Sequence, residues 1–163
     1  MKTIRTLAFG AAVLGLALAA NLASAQDKSF KESIIGAWIV TGVKDVSTTG
    51  EARDSWKGPV HGQITFGRTG RFTQILLGPT VDAMKGDDPR KPDGLIVAQY
   101  GSYTVDEAGK KINAKIEGAS FSPRAKSDTS WTVEGSGDKL TLVGAARKDN
   151  LGTFTPRLEV KRP

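Results

Sequence analysis

One histidine, no cysteine and a scatter of aspartates are the groups from which chemistry in this 163-residue chain would have to be built. His61 could serve as a general base or an axial haem ligand. It stands alone at the start of a strand, on the opposite parity from Ile64 and Phe66, and reads as a rim or surface residue. A histidine zinc site needs more than one His, and sites built only from Asp and Glu are unusual. The absence of Cys removes thiol catalysis, Cys-ligated metals and iron–sulfur clusters. Asp82, Asp87, Asp88 and Asp93 could together bind calcium, but their spacing lacks the alternating EF-hand pattern. Lys85, Arg90 and Lys91 neutralise them, so this stretch reads as a solvated loop. There is no G-x-S-x-G elbow, and neither Asp54-Ser55-Trp56 nor Ser102 offers a substitute. No catalytic residue, metal ligand or cofactor is assigned.

Aromatic and amide side chains carry more. Ile64, Gln74, Leu76, Tyr103, Trp131 and Leu142 would form an apolar wall with a few polar tips, the ordinary form of a small-ligand site. Trp56 and the 78–94 connection would stand at its entrance. Loops longer than about 12–15 residues are unusual without a role, which makes 78–94 the expected lid. The same side chains could instead simply fill a narrow barrel.

Residues 1–25 have the form of a signal peptide. Lys2 and Arg5 begin it, an uncharged run follows over 7–20, and Ala23-Ser24-Ala25 supplies the small residues of a cleavage site. The run is shorter than the about 20 apolar residues that span a bilayer, so no membrane span is expected after cleavage at Ala25. Cleavage would leave 138 residues, enough for one domain with one core, in the periplasm or secreted. It would also lower the formal charge from +6 to +4. Basic pairs such as Lys110-Lys111 and Arg147-Lys148 sit beside turns rather than in one stripe, which argues against a nucleic-acid partner.

The elements that must position these residues are short alternating segments broken by Gly and Asp. After an amphipathic turn over 29–35, strands are expected at 37–43, 60–66, 71–77, 96–105, 111–117, 129–134, 139–146 and 153–162. Period-2 alternation places Trp38, Val40, Ile64, Phe66, Phe72, Leu76, Tyr103, Val105, Ile112, Ile116, Trp131, Val133, Leu140, Leu142, Leu158 and Val160 on one face. The opposite face of the later strands is polar. Eight strands joined mainly by tight turns predict an antiparallel up-and-down meander, and closing it into a barrel removes its two open edges. Parity places no acid inside.

Gly36-Ala37-Trp38, opening the first strand, resembles the G-x-W motif of lipocalin and wider calycin barrels. Gly62-Gln63-Ile64-Thr65-Phe66, Gly70-Arg71-Phe72, Tyr100-Gly101-Ser102-Tyr103-Thr104-Val105-Asp106 and Gly137-Asp138-Lys139-Leu140-Thr141-Leu142 are similar to the bacterial lipocalin-like domain family. The resemblance covers about 34–162 and implies one domain over 26–163, an eight-stranded closed barrel with a pocket at its open end. It also implies that Trp38 packs near the closed end against a basic side chain of the last strand. Arg162 is the expected partner by parity and Arg157 the alternative, both in structural roles. Haem-binding barrels that share the G-x-W take their ligand from a His near the C-terminus, and none stands there.

The leading expectation is a non-enzymatic barrel holding a small, largely apolar ligand. Two others stay open: an isomerase, cyclase or lyase acting on a hydrophobic substrate, and a filled barrel that engages a protein partner. An interior acid would favour the enzyme. The oligomeric state is left open.

Overall fold

The computed structural model describes residues 28–79, 95–121, 125–150 and 152–163. The expected signal peptide over 1–25 and the aspartates of the long connection, Asp82, Asp87, Asp88 and Asp93, lie outside the described residues. A single helical turn, α1 (Phe30–Ile34), precedes ten strands among the described residues. They are β1 (Gly36–Ser47), β2 (Ala52–Arg53), β3 (His61–Phe66), β4 (Arg71–Leu77) and β5 (Ile96–Asp106). They continue as β6 (Lys111–Ala119), β7 (Asp128–Ser136), β8 (Lys139–Gly144), β9 (Arg147–Asp149) and β10 (Gly152–Lys161).

Each long strand pairs antiparallel with the next, and β10 returns to pair with β1 from Lys161 opposite Ile39 to Phe154 opposite Ser47. The result is a closed, all-antiparallel eight-stranded barrel of β1, β3 to β8 and β10, consistent with a calycin or lipocalin-like fold. β2 and β9 are short additions at its rim, paired with β1 and β10 respectively. The expected inner face is the core: every residue assigned to it is buried except Val105, which packs against the others, and Ile34, Val60 and Ala114 join them.

Two expected strands change shape. The first runs on to Ser47, and Thr41 has no partner in the β10 ladder: Val40 lies opposite Val160 and Gly42 opposite Glu159. That bulge shifts the side-chain alternation by one residue, so Trp38 and Val40 point inward before it and Val43 and Asp45 after it. The expected strand 139–146 stops at Gly144, and β9 starts afresh at Arg147. Pro156, whose nitrogen carries no hydrogen, falls in β10 between the stretch paired with β8 and the stretch paired with β9.

α1 plugs one end. Ser29 accepts from the Glu32 amide at 3.2 Å while the Glu32 carboxylate accepts from the Ser29 amide, a reciprocal cap. The Glu107 carboxylate accepts from the Phe30 and Lys31 amides at 2.7 and 3.1 Å, tying the plug to the β5–β6 turn. Beneath it the Trp38 indole donates to the Ile34 carbonyl at 2.7 Å, and the Arg162 guanidinium lies 3.9 Å from the Trp38 ring centroid. Arg162 also donates to the carbonyls of Ser33 and Ile35 at 2.8 and 2.9 Å. Gly36 has φ +118°, and a Cβ there would stand 2.6 Å from the Arg162 guanidinium. The Gly of the G-x-W motif is thus the space through which the arginine reaches the Trp.

Candidate functional site at the open end

At the other end the barrel is not packed to its rim. A cavity of about 280 Å³ occupies the open half of the lumen. Its apolar wall comes from inward positions of seven strands: Val43, Leu76, Val97, Ile116, Trp131, Leu142 and Leu158. Trp131 is held edge-on to Phe72, with ring centroids 5.8 Å apart, and its neighbour across the ladder is Gly144, which adds no side chain to the lumen. Trp56 arrives from the segment after β2 and forms part of the mouth, stacked over Gly78.

Five of the seven residues expected at a ligand site are brought together here: Trp56, Gln74, Leu76, Trp131 and Leu142. The other two lie elsewhere in the core. Ile64 is fully buried, paired across the ladders with both Trp38 and Gln74. Tyr103 stands at the plugged end, edge-on to Phe66 at 5.2 Å, and its hydroxyl donates to the Gly67 carbonyl at 2.8 Å. Burial pushes its phenol pKa above the ordinary value.

Polar groups enter the cavity at two levels. Midway along the barrel the Gln99 amide donates to the Gln74 side-chain carbonyl at 2.5 Å. Both residues are buried, and the Gln99 side-chain oxygen has no hydrogen-bond partner among the described residues. A buried acceptor left in this state costs about 1–3 kcal/mol.

The second level corrects the expectation from parity. Asp45 is an interior acid, 3% exposed, on the cavity wall. The bulge at Thr41 put it there, and a Gly inside a strand pattern, Gly42 in this case, is the one sequence sign of such a bulge. Its neighbours come from the two added strands. Arg53 of β2 is directly opposite Asp45, and Arg147 of β9 is opposite Phe154 of β10. The two guanidiniums stack on the Phe154 ring, at 4.0 Å for Arg53 and 5.1 Å for Arg147. Each also lies 3.7 Å from an Asp45 oxygen, close enough for ionic attraction and too far for a hydrogen bond. Arg53 is anchored instead on Asp149 at 2.6 Å, and that bond is the main cause of its raised pKa. The Arg53 Nε is buried without a hydrogen-bond partner. Arg157, the alternative partner for Trp38, borders the cavity at the open end and pairs with Glu134.

His61 is exposed at the start of β3. Among the described residues no three His, Cys, Asp or Glu side chains gather as a metal site, and no helix is long and apolar enough to cross a membrane. The sequence matches no model of a known protein family and no curated protein.

Proposed function

We propose that this protein is an exported, lipocalin-like barrel that binds one small, largely apolar molecule in the open half of its lumen. The observation that carries this reading is the cavity itself. It is a space of about 280 Å³, near the lower end of small-ligand sites, walled by aliphatic and Trp side chains with the Gln74 amide on its lining. Burial of apolar area would supply the affinity, and the Gln74 amide would orient the ligand. A barrel filled by its own side chains would have no such space. The form of residues 1–25 supports export.

The test is native mass spectrometry of the protein purified from the periplasm of its own host, joined to titration with the neutral fluorescent probe N-phenyl-1-naphthylamine. A discrete co-purifying small molecule, or probe binding that Trp131→Ala weakens, supports the reading. An empty protein that also leaves the probe in water overturns it.

Asp45 favours a second reading, an isomerase, cyclase or lyase acting on a hydrophobic substrate, since it sets a carboxylate beside the apolar cavity. Incubating the extracted molecule with wild type and with Asp45→Asn distinguishes the two. Chemical change with wild type alone supports the enzyme; recovery unchanged from both supports the binder.

A further inference from the structure

The charged rim of the cavity is balanced, and its two kinds of hydrogen-bonding group are left apart. Asp45 and Arg147 both line the cavity, 3.7 Å from one another. A carboxylate only accepts hydrogen bonds and a guanidinium only donates them. Among the described residues neither forms one: Arg147 is held by the Phe154 ring and by loose attraction to Asp45. Arg53 and Asp149 satisfy one another alongside, so these four side chains sum to zero charge. Asp128 and Arg157, farther out on the same lining, also cancel, and Arg157 is engaged by Glu134.

A ligand entering this mouth meets an acceptor and a donor side by side with no net field. A carboxylate head would be drawn to Arg147 and repelled by Asp45. An ammonium head would be drawn to Asp45 and repelled by Arg53 and Arg147. A neutral group with a donor next to an acceptor satisfies both, its N–H given to Asp45 and its carbonyl accepting from Arg147. The apolar body behind the head would lie between Trp56 and Trp131. It has room for about nine water-sized volumes of about 30 Å³ each, the scale of an aromatic ring with a short arm.

We propose that the Asp45–Arg147 rim selects a neutral amide-type head, a primary carboxamide on a small apolar body, over the corresponding carboxylate and ammonium. This rests on the reading of the cavity as a small-ligand site. The test displaces N-phenyl-1-naphthylamine from the whole protein at neutral pH with benzamide, benzoate and benzylammonium, which share one ring and differ in the head. Benzamide is expected to compete at least about tenfold better than either ion, the effect of one hydrogen bond to a charged group. Asp45→Asn leaves the rim with one excess positive charge and should turn the preference toward benzoate. Arg147→Gln leaves one excess negative charge and should turn it toward benzylammonium. A wild-type preference for either ion, or the same ranking in wild type and both variants, overturns the proposal while binding of the probe keeps the cavity reading intact. Failure of the probe to bind a wild-type protein that also carries no co-purifying molecule overturns both.

Discussion

The two ends of the barrel use the same pair of side chains, an arginine laid on an aromatic ring, to opposite effect. At the plugged end Arg162 lies 3.9 Å from the Trp38 ring and spends its donors on two carbonyls at the end of α1. The indole donor is bonded too, and the Tyr103 hydroxyl nearby has found a carbonyl. At the open end Arg53 and Arg147 lie against Phe154, yet one buried guanidinium nitrogen is without a partner and Asp45 is reached only at 3.7 Å. Stacking on a ring orders an arginine in either place. What the rest of its donors do separates a structural plug from a surface that can still receive a ligand.

The largest effect should come from comparing tryptophans. Trp38→Ala removes a fully buried indole and its hydrogen bond, and should lower unfolding free energy by about 3–5 kcal/mol in a denaturant titration. Trp56→Ala, at the half-buried mouth, should cost under about 1.5 kcal/mol. Equal losses would erase the distinction between plug and mouth.

The arginines should separate next. Arg162→Ala gives up the ring contact and two charge-assisted bonds and leaves two carbonyls at the end of α1 unbonded, a loss of about 2–4 kcal/mol. Arg147→Ala, half exposed and without a hydrogen bond among the described residues, should change stability by about 0.5 kcal/mol or less. Thermal melts of the two variants side by side make the comparison.

Tyr103→Phe sharpens the account of the plugged end through pH. Loss of the bond to Gly67 should cost about 1 kcal/mol at neutral pH. Because burial raises the phenol pKa, the native state holds that proton more tightly than the unfolded chain does. The contribution is therefore complete below about pH 10, the ordinary phenol value, and is lost as pH rises through the raised one. Wild type should lose more stability than Tyr103→Phe between those limits, and parallel alkaline curves would remove Tyr103 from the plug.

The smallest effect belongs to neither end. Arg71 grips both oxygens of Glu117 on the outer wall, at 2.6 and 2.8 Å, and this holds the carboxyl below its usual range. Its contribution is present above the ordinary carboxylate pKa and fades as pH falls through the lowered value. Solvent screens such a pair, so acid unfolding of Glu117→Gln should differ from wild type by the least of the four comparisons.

Much of the candidate site was legible from the chain, and the exceptions share a cause. Gln74, Leu76, Trp131 and Leu142 were found because each strand that carries them alternates without interruption up to that point. Tyr103 was rightly inside, but parity fixes a face and not a height. Only the packing of the turns shows that its hydroxyl points to Gly67 at the plugged end. Asp45 was hidden because a bulge is a property of two strands, and its mark in one of them is a single glycine.

The sequence alone determined the eight antiparallel strands and their inner face, and the resemblance to G-x-W barrels supplied a basic partner for Trp38, which parity named as Arg162. The strands and the face follow from local alternation and turn residues, one strand at a time. Tertiary structure decided the pairing of β1 with β10, the bulge that turned Asp45 inward and the two rim strands that bring Arg53 and Arg147 beside it. The first two depend on register between residues more than a hundred positions apart and the rim strands on short local pairings, and side-chain periodicity along one strand carries no information about the register of its neighbour.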